Sequence, residues 1–149
     1  MTQTAQSNRM FRVLAIDDDP SNLELISEAL GSPDIKVITA DGGNAGVAQF
    51  KEVRPDMTLV DLMMPDISGI EVLQQIIDED PGAEVVLMSA HYSTESAVEA
   101  IQKGASDYLN KPLDLERLRN KVESLKEEAN VRKRALRLDN EAKIGRASW

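Results

Sequence analysis

Short apolar runs alternate with stretches of helical periodicity along most of this chain. The apolar runs lie at Arg12–Ile16, Lys36–Ala40, Met57–Asp61, Glu84–Ser89 and Asp107–Asn110. The first, third and fourth are nearly continuous, the pattern of parallel strands covered by helices on both faces. After the first run, Pro20 suits an opening helical turn, and Leu23, Leu25, Ile26 and Leu30 follow at helical spacing up to Gly31. A second helix is expected over Asn44–Val53, weakened by Gly42, Gly43 and Gly46, because glycine lowers helical propensity. A third starts near Ser68, carries Ile70, Val72, Leu73, Ile76 and Ile77, and ends before Pro81-Gly82. A fourth covers Thr94–Lys103 and is closed by Gly104. Five strand–helix alternations predict an α/β fold, a three-layer (βα)5 sandwich.

The last segment has a different pattern. From Leu113 to about Lys143 there is no Gly or Pro, so one long C-terminal helix is expected. Leu115, Leu118, Val122, Leu125 and Ala129 keep the 3-4 spacing of a coiled-coil seam. The same register then falls on Arg132, Leu136 and Asp139, while Val131, Ala135, Leu138 and Ala142 form a competing, shifted stripe. A dimerisation or signal-transmitting helix is the expectation, with a parallel dimer through Leu115, Leu118, Val122 and Leu125; a closing helix with a solvated extension is the alternative. Residues 1–9 read as a flexible leader, 10–124 as the globular domain, and 125–149 as a helical extension ending in a short tail from Ile144.

Composition narrows the functional classes. The 149 residues are 42% apolar and 29% charged, an ordinary globular balance. A net charge of −9 argues against a nucleic-acid surface, which needs clustered Lys and Arg. Zero cysteines exclude disulfides and thiolate metal sites and fit a cytoplasmic location. No apolar run approaches the ~20 residues of a membrane helix, and Met1 to Met10 lacks the apolar core of a signal peptide.

The candidate chemistry sits where strands end. The first run leads into Asp17-Asp18-Asp19, the third ends in Asp61 before Met63-Met64-Pro65, the fourth ends in Ser89, and the fifth leads into Lys111-Pro112. In an open parallel sheet these ends line one edge, where ligands bind. Two carboxylates ~4 Å apart repel by ~4 kcal/mol at an effective dielectric of 20, a cost that a hard cation relieves. Magnesium suits such a site, since it takes oxygen ligands together with phosphate oxygens. Successive strand residues point to opposite faces, so periodicity alone leaves open whether Asp17 and Asp18 both face the site.

Taken together, Ile16-Asp17-Asp18-Asp19-Pro20, Val60-Asp61 through Ser68-Gly69, Met88-Ser89-Ala90 and Gly104 through Lys111-Pro112 resemble a response-regulator receiver domain over roughly Arg9 to Ser124. The resemblance implies a five-stranded parallel sheet in order 2-1-3-4-5 and phosphorylation of Asp61 by a histidine kinase, a phosphotransfer protein or a small phosphodonor. It implies Mg²⁺ held by Asp17, Asp18, Asp61 and the Met63 backbone carbonyl, with Asp18 the more direct of the acid pair. Lys111 is implied to pair with the phosphoryl oxygens, with a cis bond to Pro112. Ser89 is implied to be the hydroxyl that bonds the phosphoryl group, and Tyr108 the aromatic switch. Asp19 and Asp66 are expected to cap or solvate turns, and His91 lies near the site mouth. The expected outcome is a phosphorylation switch, not an enzyme, that changes the surface of the fourth helix, fifth strand and fifth helix and with it homodimerisation or an output partner. A pseudo-receiver that only docks or dimerises is the alternative. A haloacid-dehalogenase-like phosphatase, suggested by Asp17-x-Asp19, lacks an acid cluster after the lysine strand.

Overall fold

The computed structural model describes residues 10–147, with side chains through Asp139; the leader at 1–9 and the last two residues lie outside them. Strands β1 (Phe11–Ile16), β2 (Ile35–Ala40), β3 (Met57–Asp61), β4 (Val85–Ser89) and β5 (Asp107–Asn110) alternate with helices α1 (Pro20–Leu30), α2 (Gly43–Val53), α3 (Gly69–Glu79), α4 (Thr94–Gln102) and α5 (Leu115–Ala147). The strands form one sheet in order β2-β1-β3-β4-β5, and every pair is parallel.

Position in the sheet explains the sequence pattern. Central β3 and β4 are buried at every residue, so both read as unbroken apolar runs. Edge strand β2 is buried only at its ends, at Ile35 and Ala40. The core joins Leu14 and Ile16 of β1, Val60 of β3 and Leu87 of β4 to Phe50 of α2 and Leu73 and Ile76 of α3. Each large side chain so buried contributes about 1.5–3 kcal/mol relative to exposure.

Local signals set the helix ends. Asp19 caps α1 and accepts from the Ser21 N–H, Ser68 caps α3 through the Glu71 N–H, and Ser93 and Ser96 form a capping box on α4. Gly104, at φ +109°, leads from α4 towards β5 in a conformation that favours glycine. The glycines at the head of α2 do not prevent a helix, which starts at Gly43.

The chain divides into two compact units, one up to Leu115 and the other from Glu116 onward. Within α5, Leu118 and Val122 are buried, whereas every described side chain from Asn130 to Asp139 is exposed. Helix α5 continues through Ala147, so residues 144–147 are helical where the sequence suggested a tail. Among the described residues no helix is long and apolar enough to cross a membrane.

Candidate functional site

The chain leaves β1, adds β2 on one side, and returns to place β3 on the other. That reversal opens a crevice at the carboxyl ends of β1 and β3, where the acids converge. Asp17, Asp18 and Asp61 each offer a carboxylate oxygen, and the three lie within 4.8 Å of one another. Asp17 is 0% exposed and Asp61 7% exposed, while Asp18 faces solvent. The turn out of β1 thus brings both members of the acid pair to one site, which strand alternation could not establish.

Lys111 connects the two buried acids. Its Nζ lies 2.8 Å from Asp17 Oδ2 and 2.8 Å from Asp61 Oδ1. The Lys111–Pro112 bond is cis, and the Lys111 N–H donates to the Ser89 carbonyl at 2.8 Å. Burial disfavours the lysine charge, yet the hydrogen bonds to Asp17 and Asp61 prevail and hold its pKa above the ordinary value. For Asp61 the balance is reversed. Burial is the largest influence and, with the charges of Asp17 and Asp18, raises its pKa against the lowering effect of Lys111. One lysine leaves this set of three acids with surplus negative charge.

Both oxygens of Asp17 have further partners that the sequence did not single out. Asn22, in the first turns of α1, donates its Nδ2–H to Asp17 Oδ2 at 2.7 Å, and the Asp19 N–H donates to Oδ1 at 3.0 Å. An amide five residues after a strand-end acid, on the inner face of a capped helix, was the available signal.

Asp61, Met63, Ser89, Ala90, His91 and Lys111 line one cleft. Ser89 is 2% exposed, and its Oγ accepts from the His91 N–H at 2.9 Å. Met63 is 63% exposed. Tyr108 is buried rather than placed in the cleft; its hydroxyl lies 2.9 Å from Ser96 Oγ of α4, and its ring meets the Tyr92 ring edge-on at 5.0 Å.

Asp66, expected to cap or solvate a turn, caps a helix distant in sequence. Its carboxylate accepts from the Gly43 N–H at 3.1 Å and the Asn44 N–H at 2.8 Å, at the start of α2. The preceding residue Gly42 has no side chain to cap that helix. Asp66 supplies the cap from the loop after β3, and these backbone donors hold its pKa below the usual carboxylate value.

The profile of the response regulator receiver domain matches residues 13–123. The chain belongs to the response-regulator receiver family. This receiver is 36% identical to the probable transcriptional regulatory protein TcrX of Mycobacterium tuberculosis over 70% of its own length, and spans 44% of that protein. It is 34% identical to the chemotaxis protein CheY of Listeria monocytogenes, covering 76% of this chain and 97% of that one. Among solved structures, a response regulator receiver domain protein from Clostridium thermocellum superposes with a TM-score of 0.75 at 27% identity, covering 82% of this chain and 98% of that one. The Francisella response regulator 1452 receiver domain gives 0.74 at 28%, with 79% and 98% covered. The fold and sheet order expected from the sequence are those observed.

The donor set fits a hard divalent cation. The cluster is all oxygen, has one exposed carboxylate and is in charge excess over Lys111, which suits magnesium, an ion that takes one or two carboxylates with water and phosphate oxygens. Asp17, Asp18 and Asp61 are the side chains that would hold it.

Proposed function

We propose that Asp61 accepts a phosphoryl group from a phosphohistidine on a histidine kinase or phosphotransfer protein in the cytoplasm. The chain then serves as a two-component switch and not as a turnover enzyme. The observation that carries this reading is Lys111 Nζ, equidistant at 2.8 Å from Asp17 and Asp61. A carboxylate oxygen of Asp61 attacks phosphorus as the phosphorus–nitrogen bond to the donor breaks. Phosphoryl transfer asks mainly for positioning and stabilisation of spread charge. Lys111 is already at the acceptor oxygen, and Asp17, fixed by Asn22 and the Asp19 N–H, holds the lysine in place. Bound Mg²⁺ would supply the remaining positive charge against the donor oxygens.

The readout follows from the contacts beyond the cleft. A phosphoryl group brings about −1.5 to −2 charge and strong acceptor oxygens, and Ser89 is the nearby hydroxyl. Turning Ser89 Oγ towards it withdraws the acceptor from the His91 N–H. The next residue, Tyr92, packs on Tyr108, and Tyr108 bonds Ser96 of α4. Tyr92 on this path and Val98 and Ile101 of α4 are exposed apolar residues, and they offer a face for a second copy or an output partner whose shape depends on phosphorylation.

The test is intact mass after incubation with acetyl phosphate and Mg²⁺, wild type beside Asp61→Ala. One added phosphoryl group is expected, absent in the variant and abolished by chelator. A mass unchanged with acetyl phosphate, phosphoramidate and a phosphorylated kinase alike would favour the pseudo-receiver reading.

A further inference from the structure

Helix α5 carries two apolar stripes, and they face different directions. Leu118, Val122, Leu125 and Ala129 make the first, and its centre is already buried at Leu118 and Val122. Val131, Ala135 and Leu138 make the second. At about 100° per residue it stands roughly 150° around the helix from the first, so whatever covers the first stripe leaves the second open. Val131 and Leu138 are 52% and 63% exposed.

We infer that a second copy of this chain covers the Val131–Ala135–Leu138 stripe as a parallel two-helix coiled coil. The argument is charge complementarity. With Val131 and Leu138 at d and Ala135 at a, Glu127 and Arg134 occupy g, and Arg132 and Asp139 occupy e. In a parallel pair, each g residue meets the e residue five positions on in the other helix, and such pairs set partner and orientation. Glu127 then meets Arg132 and Arg134 meets Asp139, opposite charges in both cases and repeated by symmetry. An antiparallel pair that sets Ala135 against Leu138 would also join Arg132 to Asp139, but it would separate Leu138 from its own copy, which the cysteine test below reads.

The register that continues the first stripe is inferior on the same criteria. It buries both Arg132 and Asp139 in the seam, where the proposed register buries Glu128 alone at its first a position, and although it pairs Glu128 with Lys133 it sets Lys121 against Lys126. Burying an unpaired charge costs several kcal/mol, more than Ala129 and Leu136 return. This inference specifies the dimer element of the function proposed above, but the seam needs no phosphoryl group. Testing unphosphorylated protein therefore separates its failure from failure of Asp61 as acceptor.

Because the chain has zero cysteines, one introduced cysteine reports one position. In the proposed register Leu138 is at d, facing its own copy, while Leu136 is at b, facing solvent. In the competing register Leu136 is at the seam and Leu138 is outside. Leu138→Cys in the full chain should form a disulfide-linked dimer under mild oxidation at ~100 µM, at least tenfold faster than Leu136→Cys. Adding Arg134→Glu to Leu138→Cys should slow cross-linking severalfold, and further adding Asp139→Arg should restore it. Equal cross-linking at both positions, none at either, or faster reaction at position 136 would overturn the inference. Loss of rescue in the charge-swapped variant, with helicity unchanged by circular dichroism, would overturn it as well.

Discussion

Gly69 is where helix geometry bears directly on Asp61, the proposed phosphoacceptor. It is the first residue of α3, and its N–H donates to the Leu62 carbonyl at 2.7 Å, binding the helix to the end of β3. A Cβ at this position would lie 2.5 Å from the Asp61 carbonyl oxygen and 2.8 Å from Leu62 Cα. Both are backbone atoms, so no side chain can rotate away. Reaching the 3.4 Å of an ordinary contact requires a shift of about 0.9 Å. Overpacking of this kind costs about 1–3 kcal/mol, and the gain from replacing glycine by alanine in a helix, at most about 1 kcal/mol, offsets part of it. Gly69→Ala should therefore lose about 1–2 kcal/mol, or about 4–8 °C in melting temperature for a domain of this size. Misplacing reacting groups by about 1 Å costs up to ~100-fold in rate, so phosphorylation by acetyl phosphate should slow by about 10–100-fold. Gly104→Ala is the control. It strains a residue at φ +109° against Ile77 and should cost a similar 1–2 kcal/mol while leaving Asp61 alone. Melting curves and phosphorylation rates, taken where all variants are folded, decide the matter. A wild-type rate in Gly69→Ala, or equal slowing in both variants, would refute the reasoning.

Three further outcomes are expected. The raised pKa of Asp61 means that its contribution to stability is full below the unfolded value and is lost as pH rises through the folded one. With chelator present, the wild type should accordingly lose melting temperature relative to Asp61→Asn between pH 4 and 7, and parallel curves would contradict this. Asp18→Asn should raise the melting temperature without Mg²⁺ and weaken Mg²⁺ binding in a calorimetric titration; lower stability with unchanged affinity would make Asp18 structural. Asp66 has a lowered pKa, so its contribution is present above the unfolded value and lost as pH falls through the folded one. Asp66→Ala should lower the melting temperature at pH 7 and match the wild type near pH 2, whereas a constant gap would assign the loss to packing.

The strands were legible because β3 and β4 are buried on both faces, which leaves no polar alternation to confuse the reading. Their terminal acids and hydroxyl were legible for a related reason, since each group follows an apolar run at once; Lys111 comes one residue later, after Asn110. The turns were not legible. Whether Asp17 and Asp18 share a site depends on the path out of β1, and the Asn22 contact to Asp17 depends on where α1 packs. Asp66 was read as an ordinary turn residue because its partners, Gly43 and Asn44, lie more than twenty positions earlier in the chain. A helix opening on glycines, with no side chain of its own to cap it, indicates that the cap must come from elsewhere.

Helix α5 shows a limit of a different kind. A 3-4 apolar repeat records that a face is covered, but not whether the same chain or another molecule covers it. Spacing alone therefore made Leu118 and Val122 candidates for a dimer seam, although both are buried. Exposure separates the two uses. Unbroken exposure begins at Asn130, and the apolar stripe changes face one residue later, at Val131. Had one seam served both purposes, the repeat would have run on through Ala129 in phase and the residues at 132 and 139 would be apolar. They are Arg132 and Asp139, charges placed where the shifted register pairs them across two helices and the original register would bury them. The break in the heptad thus marks a change of partner, and a search for the interface between copies should start at Val131.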